Sequence, residues 1–136
     1  MTEAVFDEAE LKQYAAELAA RWRPPMAIWL VGDLGAGKTT FARALIHSLG
    51  HDGPVKSPTY GLMEHYELSS CSVLHRDLYR IEDPEELEYL GIKDLFDENT
   101  LLLVEWPERA PAALPPADVV LRFSHQGSCR RLELRD

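Results

Sequence analysis

The run Gly32-Asp33-Leu34-Gly35-Ala36-Gly37-Lys38-Thr39 constrains the fold more than any other stretch of this chain. It fits G-x-x-x-x-G-K-[ST], the phosphate-cradling P-loop, at every position. Its flanks agree with it. Ala27-Ile28-Trp29-Leu30-Val31 is a short apolar run suited to a buried strand, and Thr39 to Ile46 reads as a helix. This is the strand–loop–helix setting that the motif requires. Glycines at 32, 35 and 37 admit backbone conformations that a Cβ would block. The amide groups of residues 33–40 (Asp33, Leu34, Gly35, Ala36, Gly37, Lys38, Thr39, Thr40) then form a nest for phosphate oxygens at the positive end of a helix. Lys38 supplies a mobile charge for the β- and γ-phosphates, and the Thr39 hydroxyl is the expected Mg²⁺ ligand.

The remaining pattern predicts an α/β protein: a P-loop NTPase-like three-layer fold with a mixed parallel and antiparallel central sheet, residues 1–136 forming one domain. Residues 7–22 carry Leu11, Tyr14, Ala15, Leu18, Ala19 and Trp22 at helical spacing, with Asp7 and Glu10 set as a capping box. Leu62 to Leu68 and Cys71 to His75 predict an antiparallel pair across Ser69-Ser70. Asp83-Pro84-Glu85-Glu86-Leu87 has the marks of a helix start. Pro107 to Pro116 is a connector, and Val119–Phe123 with Cys129–Arg135 alternate around His125-Gln126-Gly127 as a hairpin.

Hydrolysis needs a metal-organising acid and a means to position water. Glu105 follows the apolar run Leu101-Leu102-Leu103-Val104, which places a carboxylate at the carboxyl edge of the sheet beside the loop. It either ligates Mg²⁺, directly or through water, or polarises the attacking water. Asp77 closes another strand candidate, His75 to Arg80, and is the second carboxylate placed near the metal. On an extended chain His75, Asp77 and Tyr79 share a side. Lys38, Asp77 and Glu105 are therefore the candidate catalytic residues. There is no N-K-x-D element and no D-x-x-G switch, which argues against a Ras-type GTPase and leaves ATP as the expected nucleotide.

Charge bears on partners. The 136 residues carry a net charge of −9, and no basic run exceeds Arg130-Arg131. Direct nucleic-acid binding, which draws on a basic patch, is disfavoured. No segment has the ~18–20 apolar residues of a membrane span, and the N-terminus lacks the pattern of a signal peptide. Cys71 and Cys129 form no CxxC pair. A cytoplasmic location without membrane contact is expected.

Four blocks together resemble the TsaE (YjeE) family: the P-loop through Thr40; Val55-Lys56-Ser57-Pro58-Thr59-Tyr60; His75 through Asp77-Leu78-Tyr79-Arg80 to Asp83-Pro84-Glu85-Glu86-Leu87-Glu88; and Glu105-Trp106-Pro107. The resemblance implies an ATPase, weak alone, that joins the TsaB–TsaD pair in the threonylcarbamoyl modification of adenosine 37 in tRNAs reading ANN codons, and that meets tRNA only through this complex. It further implies that Gly35 to Thr40 bind phosphates, that Thr39 and Glu105 hold Mg²⁺, and that Asp77 assists the metal or the water. Ser57, Pro58, Thr59 and Tyr60 would form a switch sensing the γ-phosphate or a partner. Trp106 would lie beside the nucleotide and Arg130 would reach it from the hairpin. Gly61 and Arg76 depart from the family pattern, where a hydroxyl and an apolar residue are common. From the residues alone, a small-molecule kinase and a non-hydrolysing nucleotide-binding adaptor remain as alternatives.

Overall fold

The computed structural model describes residues 2–55, 63–81 and 92–136. The chain runs through β1 (Thr2–Phe6), α1 (Glu8–Arg21), β2 (Met26–Gly32), α2 (Lys38–Ser48), β3 (Met63–Glu67), β4 (Ser72–Asp77), a four-residue α3 (Ile92–Leu95), β5 (Thr100–Glu105), β6 (Val119–Gln126) and β7 (Cys129–Arg135). The seven strands form one sheet in the order β1-β7-β6-β2-β5-β4-β3. Its centre is parallel, with β2 between β5 and β6 and β4 beyond β5. Its margins are antiparallel, β1 on β7 on β6 at one side and β3 on β4 at the other. The mixed sheet expected from the sequence is the one observed.

Side-chain alternation sorts the strands into two layers. Ile28 and Leu30 of β2, Leu101 and Leu103 of β5, Val73 of β4 and Leu121 and Phe123 of β6 face the helix pair, burying against Leu11, Ala15 and Leu18 of α1 and Phe41, Leu45 and Ile46 of α2. The residues between them (Ala27, Leu74, Leu102 and Val104) pack on the opposite side against Leu78, Ile81, Ala110 and Leu114. Among the described residues this third layer consists of turns, including two short 3₁₀ turns at Pro107–Arg109 and Pro111–Ala113, rather than long helices. The connector expected at Pro107 to Pro116 therefore also serves as a cover for the sheet.

Local chemistry explains the element ends. Asp7 caps α1: its Oδ1 accepts from the Glu10 amide at 2.8 Å, while Glu10 Oε1 accepts from the Asp7 amide at 3.1 Å. Such a box contributes about 1 kcal/mol. Helix α2 begins instead at Gly37, whose φ of 107° lies where a side chain is disfavoured, and no side chain caps it. Its first amides are left for a ligand.

One expectation is corrected, and one element is unanticipated. The strand read over His75–Arg80 and the one read over Cys71–His75 are a single strand that stops at Asp77. The Tyr79 amide donates to Asp77 Oδ1 at 2.9 Å and turns the chain, so Tyr79 does not extend the alternation of His75 and Asp77. Strand β1, which the sequence does not advertise, pairs along its length with β7 from the other end of the chain. The helix start expected at Asp83–Leu87 lies outside the described residues.

Candidate nucleotide site at the carboxyl edge of the sheet

Parallel β2, β4 and β5 end side by side, at Gly32, Asp77 and Glu105. Leu30 pairs with Glu105, and Glu105 pairs with Asp77, so both carboxylates sit at the sheet edge from which the 32–39 loop departs. The loop passes close to β6: a Cβ on Gly32 would lie 2.4 Å from the Phe123 carbonyl oxygen, and the φ of Gly32 is 149°. Only glycine fits there.

The loop, Asp77, Glu105 and Trp106 line a cavity of about 230 Å³, with Glu8 and Leu11 of α1 and Ser128 and Arg130 of the terminal hairpin on its far wall. Arg130 stands beside Gly37. Asp33 and Leu34 lie exposed at the turn of the loop, where the Leu34 carbonyl is 3.4 Å from His125 Nε2. Ala36 is fully buried in the core, and its amide donates to the Asp33 carbonyl at 3.1 Å, closing the turn of the loop. Thr39 and Thr40 of α2 complete the lining. Ser57, Pro58, Thr59 and Tyr60 lie outside the described residues.

Lys38 is 4% exposed. Its Nζ donates to the Gly32 carbonyl and lies 3.6 Å from the centroid of the Trp106 ring. Burial pushes this ammonium below the ordinary lysine range, against the pull of the carboxylates of Glu105, Glu108, Asp77 and Asp33. Trp106 holds a left-handed backbone (φ 59°, ψ 48°) and in turn meets Tyr79, ring centroids 4.9 Å apart. Burial also raises the Asp77 carboxyl above the usual range; the Tyr79 amide opposes this, the Glu105 charge adds to it, and His75 and Lys38 oppose it.

Thr39 Oγ1 donates to Glu105 Oε1 at 2.9 Å, although the two residues come from different elements. Glu105 is only 2% exposed and is not the surface acid that could equally end such a strand. Its second oxygen is met by a residue not among those expected in the site: His75 Nε2 lies 2.7 Å from Glu105 Oε2. The shared parity of His75 and Asp77 on β4 was the available signal. Among the described residues no three of His, Cys, Asp and Glu cluster as a metal cage.

The residues fit the groups that such a loop implies. A left-handed Gly37 leaves the first amides of α2 uncapped for phosphate oxygens. A hydroxyl and a carboxylate in contact form the hard-oxygen pair that suits Mg²⁺, which takes one or two protein ligands and completes its shell with phosphate and water.

The fold and this edge define the class: a P-loop NTPase-like α/β protein. A family model described as "Threonylcarbamoyl adenosine biosynthesis protein TsaE" matches residues 5–132. The chain belongs to the TsaE family. It is 40% identical over 139 residues to the tRNA threonylcarbamoyladenosine biosynthesis protein TsaE of Haemophilus influenzae, covering 98% of this chain and 88% of the relative. It is 35% identical over 122 residues to the Bacillus subtilis protein of the same name, covering 90% and 76%. The fold is similar to the crystal structure of Bacillus subtilis YdiB, with a TM-score of 0.78 and 26% identity over 96% of this chain and 83% of that one. Among the described residues no helix is long and apolar enough to cross a membrane.

Proposed function

We propose that this member of a threonylcarbamoyladenosine biosynthesis family is a Mg²⁺-dependent ATPase. It works with TsaB and TsaD in modifying adenosine 37 of tRNAs reading ANN codons. The observation that carries the ATPase reading is the 2.9 Å contact between Thr39 and Glu105 at the mouth of the loop. A merely structural glycine-rich turn gives no reason to bury a carboxylate against the first turn of the following helix.

A Mg²⁺ ion held by Thr39 and Glu105 would supply charge neutralisation for the phosphates there. The chain's own residues do the rest. Loop amides and the start of α2 hold the phosphates in register. Lys38 leaves the Gly32 carbonyl and delivers its ammonium to the phosphate oxygens. Thr39 and Glu105 would hold the metal, and Asp77, one strand over, orients the water that attacks the γ-phosphorus. That attack forms a new P–O bond as the bond to the β-phosphate oxygen breaks.

Partner dependence follows from charge and from the family. A chain of net charge −9 is poorly suited to hold tRNA by itself. A cation contributed by a partner accelerates other P-loop enzymes by about 10³–10⁵. The test is phosphate release from the purified chain, titrated with TsaB–TsaD and tRNA at several salt concentrations. Slow release alone and a marked rise with the pair is the expected result. Turnover at about ten per second or more by the chain alone, unaffected by the pair, rules the reading out, as does a failure of calorimetry to detect adenine nucleotide binding with Mg²⁺.

A further inference from the structure

Glu105 is held at both carboxylate oxygens. Thr39 Oγ1 donates to Oε1 at 2.9 Å, and His75 Nε2 stands 2.7 Å from Oε2. The imidazole has no exposed surface. A carboxylate only accepts, so the nitrogen facing it carries the hydrogen. The other nitrogen, Nδ1, is buried with no hydrogen-bond partner among the described residues. Leaving a polar atom unpaired in a core is costly, and an apolar side chain of similar size would avoid that cost. The one bond that the ring makes is what its presence secures.

Sheet register explains how the ring reaches its target. His75 pairs with Leu103 and Asp77 with Glu105 across parallel β4 and β5. His75 thus lies one pleat before Glu105 on the helix-facing side, under the carboxylate and away from the cleft mouth. The cleft lining includes Asp77 and Glu105 but not His75.

We propose that His75 is a positioning residue: its Nε2–H fixes the Glu105 carboxylate so that the opposite oxygen faces Thr39, setting the pair for Mg²⁺. This rests on the reading of Thr39 and Glu105 as the metal-holding residues. Partners that orient a ligand from behind commonly govern metal affinity by about 10–100-fold.

The test compares wild type with His75→Gln, which keeps an N–H donor at similar reach, and His75→Leu, which has none. Calorimetry gives ATP affinity as a function of Mg²⁺, with thermal melting as the check on folding. In His75→Leu the Mg²⁺ concentration for half-maximal enhancement rises by about 10–100-fold, affinity without Mg²⁺ stays at the wild-type value, and His75→Gln remains within about threefold of wild type. In a Glu105→Ala background His75→Leu adds no further shift. If His75→Leu fails to fold, His75→Asn, whose amide is too short to reach Oε2, replaces it with the same expectation. A folded donor-less variant with wild-type Mg²⁺ dependence overturns the inference, and so does a His75→Gln as impaired as His75→Leu. Wild-type protein showing no Mg²⁺ dependence overturns the ligand reading and this inference with it; a wild-type dependence left unshifted in the variants overturns this inference alone.

Discussion

The indole of Trp106 covers the ammonium of Lys38, with Nζ 3.6 Å from the ring centroid, while the same nitrogen donates to the Gly32 carbonyl. Both contacts occupy the charge that the loop would present to phosphate. Trp106 adopts a left-handed backbone, a conformation that costs a non-glycine residue about 1–2 kcal/mol and is retained where the surroundings hold it. Nucleotide binding that draws Lys38 away should alter the indole's surroundings. Intrinsic fluorescence is therefore expected to change on adding Mg-ATP and to lose that change in Trp106→Phe, with Trp22 and Trp29 as the unaffected background. Lys38→Ala should leave the fold intact and weaken nucleotide binding by about 10–100-fold, the equivalent of the ~1.5–3 kcal/mol of a hydrogen bond to a charged group. Binding seen by calorimetry with no spectral change would remove Lys38 from the Trp106 face.

Asp77 illustrates a conflict between stability and function. Burial first, and then Glu105, raise its folded-state pKa above the ordinary carboxylate value. An acid whose pKa is raised by folding stabilises the fold only while protonated. Stability falls as pH climbs from the unfolded pKa through the folded one and stays at the lower level above it. Asp77→Asn keeps an acceptor for the Tyr79 amide and removes the charge. The nucleotide-free variant should melt a few degrees above wild type at pH 7, with the gain shrinking toward pH ~4, while phosphate release falls. A melting midpoint below wild type at pH 7 would mean that the charge is compensated in the free protein.

Much of this site is legible in the sequence because its parts are local. The glycine spacing, the flanking apolar runs and the acid closing Leu101–Val104 place the loop, α2 and Glu105 from short windows. What is not legible depends on pairing across the sheet. Strand β1 has a single large inward residue, Phe6, and its partner β7 lies at the opposite end of the chain. The role of His75 depends on the β4–β5 register, which no local pattern carries. Arg76, 1% exposed, occupies the opposite face of β4, where its charge gives no sequence hint of burial. The turn at Asp77–Tyr79 has no glycine or proline to mark it; it is made by the Asp77 carboxylate capturing the Tyr79 amide.

Asp97 sets the entry to β5. Its Oδ1 accepts from Thr100 Oγ1 at 2.6 Å and from the Asn99 amide at 2.9 Å, and these bonds, the Thr100 hydroxyl first, hold the carboxyl below its ordinary range. A carboxyl whose pKa is lowered by folding contributes stability above the unfolded value, lost as pH falls through the folded value. Thermal midpoints measured from pH 5 to pH 2 should therefore drop less steeply in Asp97→Asn, which keeps an acceptor but does not titrate, than in wild type. Parallel curves would show that the turn does not depend on the charge.

Gly32 and Gly127 both have positive φ, 149° and 61°, but differ in what surrounds them. A Cβ at Gly32 would meet the Phe123 carbonyl oxygen at 2.4 Å, in the last pair joining β2 to β6, whereas nothing lies within 4 Å of one at Gly127. The carbonyl belongs to strand backbone and cannot swing aside as a flexible side chain would. Gly32→Ala should therefore separate the strand ends where the loop begins, costing at least about 2–3 kcal/mol of stability and disturbing nucleotide binding with it. Gly127→Asn, at a left-handed position that asparagine tolerates, should cost under about 1 kcal/mol. Urea unfolding of the two variants separates backbone collision from conformational preference. A Gly32→Ala protein as stable as Gly127→Asn would show that the β2–β6 contact yields, and that the close approach of the loop to Phe123 is not what restricts position 32 to glycine.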